Sequence, residues 1–97
     1  LRLPTTVDFE TEAIRDRPDY PPQPVSVAIL EPGKKAEFWS WGHPGRNNST
    51  KAKAKARLRD IWKHERGILF HEAKFDLDVA ECHMGLKPPP WHRIHDT

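Results

Sequence analysis

Apolar and polar positions switch period several times along these 97 residues, and each switch marks an element. Leu3 to Phe9 reads as a first strand and runs into "VDFETE", where Asp8, Glu10 and Glu12 occupy alternate positions. "RDRPDYPPQP" follows, with four prolines from Pro18 to Pro24. Proline has no N–H for a sheet ladder, so this stretch reads as a loop. "PVSVAIL" is apolar and β-branched and predicts a second, central strand. A turn at Pro32 to Lys34 leads to "AEFWSW", a third strand with Phe38 alternating against Trp39 and Trp41. The loop "GHPGRNNST" closes on the N-cap residues Asn48, Ser49 and Thr50. A helix is predicted from Thr50 to Glu65, with Leu58, Ile61 and Trp62 as its buried stripe and Gly67 ending it. "ILFH" predicts a short buried fourth strand. "AKFDLDVAECHMG" predicts a second helix that turns Phe75, Val79 and Cys82 inward, with Gly85 near its end. "KPPP" breaks the chain, and "WHRIHDT" reads as a fifth strand.

The order βββαβαβ predicts an α/β fold in one domain spanning residues 1–97. An antiparallel three-strand meander followed by right-handed crossovers makes a mixed sheet with helices on its faces. This order is similar to the core of the ribonuclease-H-like architecture, here ending before that fold's last helix. Both chain ends read as cut from something longer. No apolar run approaches the roughly 20 residues of a membrane span, and no basic-then-apolar leader pattern opens the sequence. The single Cys82 permits no internal disulfide and points to a reducing compartment. The location expected is the cytoplasm of a bacterial or phage-infected cell.

The net charge is only +2, but it is unevenly spread. Lys51, Lys53, Lys55, Arg57 and Arg59 fall together, whereas acids gather near Asp8 and Asp76. A basic stripe near an acidic pocket suits a polyanion held beside metal ions, and a solvated helix face is the plainer alternative.

The carboxylates carry the chemistry. Asp8 and Glu10 share a strand face, their Cα atoms about 6.6 Å apart at a rise of roughly 3.3 Å per residue. Such a pair can hold one cation or share two. Asp76 lies at the start of the second helix, where a carboxylate is also favoured simply by the helix dipole. Strand four is expected beside strand one, which would bring Asp76 toward Asp8 and Glu10 as a two-metal site.

With these stretches in order, "VDFETE", "GHPGRNN", "FHEAKFDLDV" and "WHRIHDT", the chain resembles the proofreading 3′–5′ exonuclease domain of family-A, phage-type DNA polymerases over nearly its whole length. That class uses four metal-binding carboxylates. Its first motif, D-x-E, is matched by Asp8 and Glu10. Its second, N-x-x-x-[FY]-D, is matched by Phe75 and Asp76, with Glu72 standing where the family has Asn. The family's "HDT" matches His95, Asp96 and Thr97, its Asp being more structural than catalytic. The third motif has no counterpart here. The resemblance implies Mg²⁺ or Mn²⁺, two ions, with Asp8 bridging them, Glu10 on the nucleophile side and Asp76 on the other. Thr11, Glu72 and Phe75 would border the terminal nucleotide. The implied substrate is a single-stranded DNA 3′ end trimmed to nucleoside 5′-monophosphates during DNA replication. A polymerase domain in the same longer chain is the implied partner, with the fragment alone nearly inactive.

Four other readings compete. One is a ribonuclease-H-type endonuclease on the same fold, which the "HEAKFD" spacing disfavours. Another is a non-catalytic, truncated or degenerate nucleic-acid-binding module, consistent with Glu72 and the missing motif. A zinc site from Cys82, His83, His92 and His95 has unsuitable spacing. A polyproline recognition motif in the proline-rich loop is the last. Trp39 and Trp41 could stack bases, although aromatics at such positions more often serve the core. His71 is expected beside the site rather than as a ligand.

Overall fold

The computed structural model describes residues 3–12 and 20–97, so residues 15–19 of the proline-rich stretch lie outside it. Five strands and two helices follow in the expected order. They are β1 (Thr5–Thr11), β2 (Pro24–Leu30), β3 (Glu37–Ser40), α1 (Lys51–Lys63), β4 (Ile68–Phe70), α2 (Ala73–Met84) and β5 (Ile94–Asp96). A short 3₁₀ turn, Trp91–Arg93, replaces the first half of the predicted fifth strand.

The strands form one mixed sheet in the order β3-β2-β1-β4-β5. β1 pairs antiparallel with β2, and β2 antiparallel with β3. β4 lies parallel to β1, as expected, and β5 parallel to β4. β2 is therefore interior but not the middle strand, a place taken by β1. β1 starts later than predicted because Pro4 has no N–H to pair, and the first ladder donor is Thr5, to Gly67 O at 2.9 Å. It also runs further, pairing with β2 as far as Thr11 ↔ Pro24 across a register shift after Glu10.

Thr50 caps α1, its hydroxyl accepting from Lys53 N–H at 3.2 Å. Ala54, Leu58 and Ile61 form the buried stripe, Trp62 is half-buried, and the helix stops at His64. α2 ends at Gly85, whose φ of 66° closes a left-handed cap. Its inward positions are Ala73, Asp76, Val79, Ala80 and Met84. Cys82, predicted to face the core, is exposed, because the stripe through Asp76, Ala80 and Met84 puts it on the far side.

The core is a single cluster. Val7, Phe9, Val27, Ile29, Ile68 and Phe70 meet Leu58 and Ile61 of α1 and Val79 and Met84 of α2. Both helices thus cover one face of the sheet, where helices on its faces had been expected. The strand order explains this. β3 to β4 and β4 to β5 are both parallel crossovers stepping in the same direction, and right-handed crossovers of that kind must lie on the same side. The opposite face carries Asp8, Glu10, Ala28, Leu30 and Phe38, with no helix on it among the described residues.

Candidate functional site

β1 extends past the end of β4. Their pairing stops at Val7 ↔ Phe70, so the following backbone of β1 has no strand on that side. Two residues separate β4 from α2, whose first turn delivers Asp76 to this free edge. Asp76 is only 2% exposed, and its Oδ2 has no hydrogen-bond partner among the described residues. Burial, and then the neighbouring Asp8 carboxylate, push its pKa up to about 7, the backbone amides of Glu72 and Phe9 acting in the opposite sense. Asp8 itself is exposed. The structure thus brings Asp8 and Asp76, 68 residues apart in sequence, into electrostatic contact.

Glu10 is not drawn into that pair. Its Oε2 accepts a hydrogen bond from Ser26 Oγ at 3.3 Å, across the β1–β2 ladder where the two residues are register partners. As the side chains stand, no three Asp, Glu, His or Cys groups among the described residues converge to hold an ion. That includes the set Cys82, His83, His92 and His95, of which His83 hydrogen-bonds Pro21 O at 2.6 Å.

The second motif surrounds the same edge. Glu72 is the N-cap residue of α2 but makes no side-chain cap bond, and its charge adds to the upward push on Asp76. The cap comes instead from β5, where Asp96 Oδ1 accepts from Ala73 N–H at 3.2 Å. Thr97 hydroxyl donates to His71 O at 3.2 Å, and His71 is exposed at the rim. Phe75 is half-buried and packs its ring against Tyr20, centroids 6.2 Å apart. Tyr20 donates to Asp78 Oδ2 at 2.8 Å. Together Tyr20, His71, Glu72, Phe75 and Asp96 border an open cleft of about 430 Å³ at the start of α2. Tyr20 went unread in the sequence because its partner is 58 residues away and nothing local marks the pairing. Thr11, at the end of β1, is half-buried.

The basic stripe does not survive as one surface. Residues at i and i+2 on a helix face different ways. Arg57 turns inward, pairing with Glu37 at 2.7 Å and Glu31 at 2.8 Å. Lys55 lies against Gly85 at the end of α2, while Lys51, Lys53 and Arg59 stay exposed. Trp39 and Trp41 pack against the core, and the exposed aromatic of β3 is Phe38.

The chemistry of Asp76 fits a hard cation. A buried carboxylate oxygen without a donor, next to a second carboxylate, is costly unless it is protonated or a positive charge arrives. No protein-family model matches this chain, and a search of curated proteins finds no match.

Proposed function

We propose that the chain is the N-terminal part of a ribonuclease-H-like 3′–5′ exonuclease domain that acts on single-stranded DNA 3′ ends in proofreading. The observation that carries this reading is the orphaned, buried carboxylate of Asp76 set against Asp8, just past the point where β4 stops pairing with the middle strand. The strand order β3-β2-β1-β4-β5 with its mixed pairing supports the fold assignment. Asp8 and Asp76 would hold Mg²⁺ or Mn²⁺, with Glu10 joining by a rotation that gives up its bond to Ser26. When bound, the two ions supply an ionised water and a Lewis acid for the leaving oxygen. The chain's own residues position and exclude. The Tyr20–Phe75 pair and Glu72 wall the cleft, and Thr11 at the end of β1 would meet the substrate from the strand side. Asp96 fixes the first turn of α2 and therefore the place of Asp76.

A non-catalytic nucleic-acid-binding module is the second reading, favoured by the seat of Glu10 on Ser26 and by Glu72 in place of Asn. One experiment separates the two. Mn²⁺ binding to the 97-residue chain is measured by calorimetry for wild type, Asp8→Ala and Asp76→Ala. Loss of at least tenfold in affinity in each variant is expected, since each removes one arm of the clamp. Unchanged Mn²⁺ affinity in Asp76→Ala sinks the metal assignment and leaves the binding module. Trimming of a labelled single strand by the chain itself should be close to background.

A further inference from the structure

The face of the sheet that has no helix among the described residues continues beyond Asp8 and Glu10. Asp8 is the register partner of Ala28, and Ala28 that of Phe38. Directly opposed residues point to the same side, so Asp8, Ala28 and Phe38 stand in one row. Two strand spacings put Phe38 about 10 Å from Asp8 across the sheet. Ala28 between them is small, so the floor is low. Phe38 is 53% exposed, an unusual place for a ring on a β-strand with a core to fill.

The loop after β3 walls this ring. Asn47 Oδ1 accepts from Ser40 Oγ and from His43 N–H, both at 3.0 Å, and its amide donates to His43 O at 3.0 Å. Asn48 Oδ1 accepts from Ser40 N–H at 2.8 Å, and its amide donates to Phe38 O at 2.7 Å. Two consecutive asparagines therefore clamp the loop onto β3, and among the described residues neither the Phe38 ring nor the Arg46 guanidinium takes part in that clamp. The result is an open groove of about 670 Å³ between Phe38, Ser40, His43, Arg46, Asn47 and Asn48. Arg46 is exposed and has no salt bridge among the described residues. Lys51 and Lys53 follow at the exposed start of α1, whose first turn holds no acid.

We infer that this groove is a subsite for single-stranded nucleic acid, in which Phe38 stacks a base and Arg46 holds a backbone phosphate upstream of the carboxylates. The assignment rests on the exonuclease reading for its direction along the strand, but its chemistry stands on the groove. A ring with a free face is the sequence-tolerant platform for a base, and a guanidinium beside it suits a phosphate. Clamping of the loop by Asn47 and Asn48 means that little ordering cost remains for binding. A purely apolar protein surface matches the groove less well, since the ring and the cation both line it.

The test is fluorescence anisotropy of a labelled oligothymidylate, about 12 nucleotides long, with the 97-residue chain in EDTA. Without metal, the outcome is independent of the Mn²⁺ titration, so either reading can fall alone. Phe38→Ala and Phe38→Leu should each weaken binding by about 5- to 100-fold, the range of one lost base stack. Arg46→Ala should lower the dependence on log salt by about 0.7. Trp91, 83% exposed and distant in sequence, is the control, and Trp91→Ala should bind as wild type. Circular dichroism checks that the fold persists. Equal binding by Phe38→Leu and wild type would overturn the stacking role, and equal loss in Trp91→Ala would reduce the effect to nonspecific contact. Sedimentation showing Phe38-dependent dimers, with no oligonucleotide bound, would hand the groove to a second copy of the chain.

Discussion

Asp76 is the residue whose physics departs furthest from its local sequence. A carboxylate in the first turn of a helix is ordinarily stabilised in its charged form. Here burial and the Asp8 charge overcome that effect and raise its pKa from 3.8 to about 7. The metal-free folded chain therefore keeps a proton that the unfolded chain releases near pH 4. Stability from this group is fully present below that value and falls as pH rises, the loss being complete above about 7. Asp76→Asn stays neutral throughout. In EDTA it should match wild type near pH 4 and exceed it at pH 8 by roughly 2–4 kcal/mol. Urea unfolding at the two pH values reads this out. A constant difference between them would mean that Asp8 and burial do not govern the titration.

At the scale of elements, both helices are tied down by side chains from the end of the chain. Arg93, 6% exposed, donates to Ile61 O at 3.1 Å, Trp62 O at 2.7 Å and Arg66 O at 3.0 Å. It satisfies two of the carbonyls that the last turn of α1 leaves open, and one of the loop that follows. Asp96 does the corresponding service for the first turn of α2. Arg93→Ala should therefore cost about 2–4 kcal/mol, since it orphans several buried acceptors at once. Arg93→Lys should recover only part of this, because an ammonium lacks the planar fork. Thermal unfolding of the two variants checks the order. This docking also explains why "WHRIHDT" is not all strand, since the turn Trp91–Arg93 is what aims Arg93 under α1.

For the molecule as a whole, the decisive feature is one-sidedness. Among the described residues both helices cover the face of Val7, Phe9, Val27 and Ile29, and Asp8, Glu10 and Phe38 lie on the other. Neighbours on one strand should then differ sharply. Ile29 is 1% exposed and Leu30 is 46% exposed. Ile29→Ala should cost about 2–4 kcal/mol, whereas Leu30→Ala should stay within about 0.5 kcal/mol. Similar costs for both would mean that the second face is covered in solution. Among the described residues the same one-sidedness leaves Leu30 and Phe38 exposed beside Asp8 on the face without a helix.

Local pattern determined the elements of this protein. Proline-free, β-branched "VSVAIL" could only pay its backbone cost as a strand, Thr50 could cap α1 by itself, and Gly85 could close α2 through its own left-handed φ. The order βββαβαβ, read with the handedness of crossovers, also put strand four beside strand one, and so Asp76 near Asp8. These outcomes depend on neighbours within a few residues or on chirality, which every chain shares. Tertiary structure alone decided the rest, because it depended on which distant groups meet. Asp8 and Glu10 share a strand face, yet only Asp8 acts on Asp76, since Ser26 across the ladder claims Glu10. Arg57 left the basic stripe because Glu31 and Glu37 lay opposite its position on α1. Phe38 rather than Trp39 became the exposed ring because the helices cover one face only, and which face they cover follows from the direction in which both crossovers step.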